Sequence, residues 1–270
     1  RYHILFNPQS GAALNSGLTE AALRELFEAE GLAPTIDADD HLPLAERIER
    51  ACASDADIIV SAGGDGTATA LAAALVGAEK TLAVLPLGTA NLLARDLSIP
   101  LELSEMVAAL QEMRPKRIDV GEVNGRVFLH KAVIGVVPGI AAGREQIRGR
   151  NGIGSRMAFL LFLLRRLMRA RRLAVAITSR DTVDRVVRIQ AVAVANNEYD
   201  EGLGQVFSRR HLDRGHLTLY VLRHLTVLDA ARLSAGMLMG RWREDEALSV
   251  EKVRSVEIRT RKPSVSVMID

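Results

Sequence analysis

Asp57-Ile-Ile-Val-Ser-Ala-Gly-Gly-Asp-Gly-Thr67 is the stretch on which the reading of this chain turns. Its β-branched run, Ile58 to Val60, reads as a strand that stops at three glycines interrupted by one aspartate. An alanine-rich helical pattern, Ala68 to Val76, follows. Strand, tight loop and helix start in that order suit phosphate binding. The loop leaves backbone N–H groups and the positive end of a helix free for an anion. Gly63, Gly64 and Gly66 let a ligand come close to the backbone without meeting a Cβ. Asp65 does not belong in a simple anion cradle, because a carboxylate repels phosphate. It makes sense if it holds Mg²⁺ or meets a reacting hydroxyl.

Outward from this loop, strand-like stretches 2–6, 33–37, 57–61 and 81–85 alternate with helical patterns 17–30, 42–53, 67–77 and 90–96. A further helix, 103–113, closes this half. The alternation predicts an α/β domain, a parallel sheet with helices on both faces. The binding crevice of such a sheet lies at the carboxyl ends of its strands. After Pro115 the pattern changes to β-branched runs at 117–123, 127–134, 173–178, 186–195, 216–222 and 253–259. Helical stretches interrupt them at 154–171 and about 226–239. This half predicts a mostly antiparallel β-sandwich. The expected domains are 1–117 and 118–270.

With 270 residues, 48% hydrophobic and 25% charged, the chain can bury a core and is neither disordered nor fibrous in composition. A single cysteine, Cys52, excludes an internal disulfide and suits a reducing cytosol. The first residues read as a strand, not a signal peptide. The longest strictly apolar run, Met157 to Leu164, is far short of the ~20 residues of a membrane span. The expectation is a cytoplasmic protein.

Charge is unevenly spread. Nine arginines face one acid, Glu145, between Arg144 and Arg172, while the whole chain carries only +2. A focused basic patch implies an anionic partner: nucleic acid, a phosphorylated ligand or an anionic membrane. Aromatic residues are only 4%, with no stacking platform, which argues against nucleic acid. The run Met157–Leu164 followed by Arg165, Arg166, Arg169 and Arg172 suits peripheral docking on an anionic membrane. There each basic residue adds on the order of 1 kcal/mol. The competing reading is a core helix whose arginines are merely solvated.

Two further loops join the first. Asn7-Pro8-Gln9-Ser10-Gly11 follows strand 2–6, and Leu87-Gly88-Thr89-Ala90-Asn91 follows strand 81–85. Each supplies glycine, a hydroxyl and a carboxamide, groups that hydrogen-bond phosphate or ribose oxygens. Ordinary turn chemistry and N-capping by Ser10, Thr67 or Asn91 would explain any one of them. Three at one edge of one sheet point to a ligand.

Asn-Pro-x-Ser-Gly, Gly-Gly-Asp-Gly-Thr and Pro-Leu-Gly-Thr-Ala-Asn, in this order and spacing, resemble the diacylglycerol kinase catalytic-domain family. Its bacterial lipid kinases and the sphingosine kinases share the pattern, and NAD kinases share the second element. The resemblance extends over nearly the whole chain, including Arg117-Ile-Asp-Val-Gly121 at the expected boundary. It implies an ATP- and Mg²⁺-dependent lipid kinase, with nucleotide in an interdomain cleft and the lipid substrate handled by the β-rich domain. Asn7, Pro8, Gln9, Ser10 and Gly11 match nucleotide-contacting segments of the family. So do Gly63, Gly64, Asp65, Gly66, Thr67, Ala68 and Thr69, and then Thr89 and Asn91. Asp65 matches the essential aspartate, while Arg95 and Asp119 match positions near the charge network. Asp270 resembles the first residue of an Asp-Gly-Glu motif that supplies a base, so the chain is expected to be a trimmed one. The implied chemistry is in-line attack of a lipid hydroxyl on the γ-phosphorus, with Asp270 or its neighbour taking the proton.

The chain also departs from its relatives. Ala12 and Leu92 stand where many carry lysine and aspartate, a paired loss that leaves no orphan charge. Asp213-Arg214-Gly215 stands where relatives hold a structural Mg²⁺, and Arg214 cannot ligate a cation, which leaves Asp213 alone there. Two rival readings follow: a kinase for a soluble acceptor such as NAD, and a catalytically weak nucleotide- or lipid-binding module. The acceptor lipid and the oligomeric state, a homodimer included, stay open.

Overall fold

The structure is a computed structural model that describes residues 1–135, 172–179, 184–202, 208–223 and 226–270. The expected helix 154–171, with Arg165, Arg166 and Arg169, lies outside the described residues. Arg172 lies within them and is exposed. The chain divides into two compact units, Arg1–Leu129 with Asp270, and His130–Ile269.

The first unit is built on a parallel sheet of β1 (Tyr2–Phe6), β2 (Thr35–Asp37), β3 (Ile58–Gly63) and β4 (Thr81–Pro86), in the order β2-β1-β3-β4. The two-residue period of a strand sends alternate side chains to opposite faces, and both faces here are apolar. Ile4 and Phe6 of β1, with Val60 and Ala62 of β3, join Leu23 and Phe27 of α2 (Glu20–Ala29) and Met106 and Val107 of α6 (Leu103–Ala109) in one core. Leu5 and Ile59 point the other way, onto Ile48 and Ala51 of α3 (Leu44–Ala53) and Leu71 and Leu75 of α4 (Asp65–Leu75). Helices thus cover both faces, as expected. Full burial of each such side chain contributes about 1.5–3 kcal/mol.

The helix expected over 17–30 is α2, and a further short helix precedes it. Gly17, in the left-handed region at φ 65°, ends α1 (Gly11–Ser16). The Thr19 hydroxyl then caps α2 by accepting the Ala22 N–H at 3.2 Å. α5 (Leu92–Asp96) starts late in the stretch expected over 90–96, because the loop before it is a structure in its own right. Arg47 of α3 is buried and braces the end of β1. It donates to Asp37 Oδ1 (2.9 Å), Asp37 O (2.6 Å) and Phe6 O (2.7 Å).

β5 (Gly121–Val123) and β6 (Arg126–Phe128) form a hairpin in the same unit. Its two-residue turn, Asn124-Gly125, holds positive φ of 49° and 78°, the primed geometry that matches strand twist.

In the second unit β7 (Lys131–Gly135), β10 (Ala191–Asn196), β11 (Leu217–Leu222), β12 (Leu248–Val253) and β14 (Val267–Ile269) make an antiparallel sheet in the order β12-β11-β10-β7-β14. A second antiparallel sheet is β13-β8-β9, formed by β8 (Leu173–Thr178), β9 (Arg185–Ile189) and β13 (Glu257–Thr260). Val175, Ile177 and Ile189 of the smaller sheet meet Val192, Leu219 and Val221 of the larger in a shared core. The opposite face of the larger sheet packs Tyr220 against Leu233 of α7 (Val227–Met239), with Tyr199 and Trp242. α7 starts at a capping box. The Thr226 hydroxyl accepts the Asp229 N–H at 3.1 Å, and the Asp229 carboxylate accepts the Thr226 N–H at 3.0 Å. Antiparallel sheets therefore form this half, as the β-rich pattern predicts. The β-branched run 186–195 divides between β9 and β10, which belong to different sheets, while the run 253–259 holds the last residue of β12 and most of β13.

Candidate functional site

In the order β2-β1-β3-β4 the chain leaves β1 toward β2 and returns on the other side of β1 as β3. That reversal opens a crevice at the carboxyl ends of β1 and β3, where ligands bind in open α/β sheets. The loops 7–10 and 64 begin at those two ends, and 87–91 follows the neighbouring β4.

Main-chain bonds tie the three loops together. Asn7 N–H donates to Ala62 O (2.8 Å), Leu87 N–H to Gly63 O (3.2 Å) and Ala12 N–H to Leu87 O (2.9 Å). Asn7 forms an Asx turn, its Oδ1 accepting the Gln9 N–H at 3.1 Å, and its Nδ2 reaches Thr67 Oγ1 at 3.4 Å. Pro8 and Gln9 form the tip of this turn, and Gly11 begins α1. Ser10 is buried, yet its hydroxyl finds no hydrogen-bond partner among the described residues. A buried orphan of this kind is uncommon in a folded protein.

Gly63 and Gly88 are glycines because of their neighbours. A Cβ at Gly63 would fall 2.7 Å from Thr67 Oγ1, and one at Gly88 would fall 2.7 Å from Gly64 Cα. Gly66 has open space instead, on the first turn of α4. Its N–H and that of Asp65 have no carbonyl to serve within the helix, which leaves them to an incoming anion.

Asn91 does not point outward as a ligand-binding amide. It sits in the left-handed region at φ 48°, accepts the Gly88 N–H at 2.8 Å and donates to Pro86 O at 3.0 Å. Its side chain closes the loop that carries Thr89, which has a partner of its own. The next residue, Leu92, donates its N–H to Asp65 Oδ1 at 2.7 Å. Half-buried Asp65 is thereby oriented at the first position of α4, with its second oxygen unused by the described residues. Sequence reasoning missed the Leu92 N–H, because every non-proline residue carries that donor and no residue type announces it.

Thr69, one turn after Asp65, donates its hydroxyl to Asp270 Oδ2 at 3.1 Å, and Leu129 N–H donates to the same oxygen at 2.5 Å. Ala68 packs inward between these polar positions. Arg95 is exposed and its Nε donates to Ala90 O at 3.1 Å, while Asp119 is half-buried with a partner. Asp213 belongs to the second unit, is exposed and has a partner, and the adjacent Arg214 N–H donates to Asn197 Oδ1 at 3.1 Å.

Among the described residues no three His, Cys, Asp or Glu side chains cluster as a metal site. A nucleotide-bound Mg²⁺ takes most of its ligands from phosphate and water and only one or two from carboxylates. Asp65, with one oxygen anchored and one available, fits that demand. Among the described residues no helix is long and apolar enough to cross a membrane.

Known proteins share this architecture. A crystal structure of a diacylglycerol kinase from Bacillus anthracis str. Sterne superposes with a TM-score of 0.68 at 22% identity, covering 100% of this chain and 89% of that one. A Pseudomonas aeruginosa protein named "Probable lipid kinase YegS-like" is 44% identical over 102 residues, 37% of this chain and 33% of that protein. A diacylglycerol kinase of Staphylococcus epidermidis is 30% identical over 138 residues, 50% of this chain and 43% of that protein. The chain thus matches less than half the length of these curated relatives. The family model of the diacylglycerol kinase catalytic domain matches residues 1–123, the stretch that holds all three loops and Asp65.

Proposed function

We propose that this protein is a lipid kinase that transfers the γ-phosphoryl group of ATP to a lipid hydroxyl. The observation that carries the proposal is the joining of three loops around the first turn of α4, with Asp65 held by the Leu92 N–H at 2.7 Å. The N–H groups of Asp65 and Gly66 and the Ser10 hydroxyl are donors suited to nucleotide phosphates. Asn7, Pro8, Gln9 and Gly11 would form one wall, Gly63–Ala68 the floor, and Thr89, on the loop that Asn91 closes, the other wall. Asp65 would hold Mg²⁺ together with the phosphates, and the ion would neutralise charge on the transferring group. Asp270 would accept the proton of the attacking hydroxyl. Arg95 and Asp119 belong to the surrounding charge network, and Asp213 is a separate candidate ligand in the second unit. A lipid acceptor implies work at a membrane surface, for which the arginines of 144–172 supply positive charge.

The test is phosphoryl transfer from labelled ATP by the full-length protein, with Mg²⁺ and with mixed micelles of diacylglycerol or extracted bacterial lipid, against NAD. A labelled product in the organic phase is expected. Phosphorylated NAD without a lipid product would overturn the lipid assignment, and nucleotide binding without turnover would make the protein a binding module. Asp65→Asn is expected to lower kcat on the order of 10²–10³-fold. The fold survives that change, since an amide oxygen still accepts the Leu92 N–H. Asp65→Ala leaves that N–H unsatisfied and costs about 1–3 kcal/mol as well. Full activity in Asp65→Asn would remove the role assigned to this carboxylate.

A further inference from the structure

We infer that Thr69 is a positioning residue: its hydroxyl holds Asp270 against the face of α4 that carries Asp65, so that two carboxylates flank the site of transfer. The inference rests on the function proposed above. Resemblance places Thr69 in a nucleotide-contacting segment, but the structure spends its hydroxyl elsewhere, on Asp270 Oδ2 at 3.1 Å.

Three observations converge. Asp65 and Thr69 are four residues apart on one helix, so their side chains emerge from the same face, roughly 5–6 Å apart at Cβ. A threonine inside a helix ordinarily turns its hydroxyl back to the carbonyl one turn earlier. Thr69 instead bonds a residue 201 positions away in sequence. Asp270 itself sits in the left-handed region at φ 46°, a conformation disfavoured for a residue with a Cβ. The two bonds to Oδ2, from Thr69 and from Leu129 N–H at 2.5 Å, hold its carboxylate there. With one oxygen pinned by two donors, the direction of the other is set. A base whose second oxygen has a set direction presents it repeatedly to the same point, which a proton transfer requires.

The hydroxyl is the element to test, and Thr69→Val removes it with little change of shape. In the full-length protein Thr69→Val is expected to lower kcat on the order of 10–100-fold with the nucleotide KM unchanged. Thr69→Ser, which restores the donor, recovers most of the rate. The Asp270 carboxyl carbon resonance, identified by its disappearance in Asp270→Asn, is expected to move in Thr69→Val and to return in Thr69→Ser. A raised nucleotide KM at unchanged kcat would return Thr69 to nucleotide contact and overturn the inference. So would a Thr69→Val enzyme with wild-type kcat and an unmoved resonance. If the wild-type protein transfers no phosphate to any acceptor, the proposed function fails, and the resonance alone decides whether Thr69 positions Asp270.

Discussion

Gly88→Ala adds one methyl group, and the structure determines where it lands. The new Cβ would lie 2.7 Å from Gly64 Cα and 2.8 Å from Asn91 Oδ1. Carbon atoms pack at about 3.5 Å or more, so the two loops must part by roughly 0.8 Å. Neither neighbour gives way cheaply. Gly64 is main chain at the N-cap of α4, and Asn91 Oδ1 is fixed by the Gly88 N–H at 2.8 Å. Overpacking of this kind costs about 1–3 kcal/mol, and loss of the Gly88–Asn91 bond adds about 0.5–1.5 kcal/mol. A combined loss of about 1.5–4.5 kcal/mol should lower the melting midpoint by about 3–18 °C. The same displacement would separate Leu92 from Asp65 and weaken ATP binding. Gly66→Ala is the control, because an added Cβ there meets nothing within 4 Å. On the first turn of α4 it should leave stability unchanged or raise it by up to about 1 kcal/mol, yet still weaken nucleotide binding by crowding the approach to the loop. Thermal melting with and without ATP, and titration of a fluorescent ATP analogue, measure both effects. Wild-type midpoint and affinity in Gly88→Ala would refute the reasoning, as would a Gly66→Ala protein destabilised as much as Gly88→Ala.

Two further expectations concern stability. Arg47→Met removes three hydrogen bonds and leaves the Asp37 carboxylate buried without its cation, at a cost of about 3–5 kcal/mol by urea unfolding; a wild-type midpoint would show that the brace is dispensable. Burial, with help from the Arg209 and Lys131 charges, holds the His130 imidazole down to about 2, against an ordinary value of 6.5. The folded protein therefore binds fewer protons than the unfolded one between those values, so stability is complete above pH ~6.5 and declines as pH falls toward 2. From pH 7 to pH 5 this histidine alone should remove roughly 2 kcal/mol. His130→Gln retains an acceptor for Arg209 Nη2, which lies 3.1 Å from Nε2, and should flatten the urea midpoint over that range; an unchanged slope would mean that other groups govern it.

How far the fold could be read in advance depended on what kind of signal each element leaves. β1, β3 and β4 are apolar on both faces, so their residue types reveal them, and their ends fall within two residues of the expected bounds. α7 falls where the helical stretch at about 226–239 was expected, and the Thr226–Asp229 capping box sets its first residue. The run 186–195 hides a boundary, because β-branched composition persists across a change of sheet. The chain turns at Gln190, and only sheet packing distinguishes two short strands from one long one. β14 was missed for a related reason. Val267–Ile269 is only three residues long, and it is a strand because Ala132, Val133 and Ile134 of β7 pair with it, a partnership far away in sequence. The Asn124-Gly125 turn was likewise not read, and it joins β5, which begins only at Gly121 within the run 117–123, to β6.

The site divides along the same line, between chemistry carried by side chains and chemistry carried by the main chain. The glycines, Asp65 and the three polar loops were legible because only certain residue types can do what they do. The contacts that organise them were not. Ala12 and Leu92 show this most directly, since both stand where many relatives carry a charged residue. Judged by residue type, their paired loss suggests a weakened network. In the structure both positions act through backbone N–H groups, Ala12 to Leu87 O at 2.9 Å and Leu92 to Asp65 Oδ1 at 2.7 Å. A main-chain donor is indifferent to the side chain attached to it. The anchoring of Asp65 and the joining of the loops therefore persist without the charged pair, and what the pair would add is electrostatic field rather than geometry. Ala12→Lys combined with Leu92→Asp should accordingly leave the thermal midpoint unchanged.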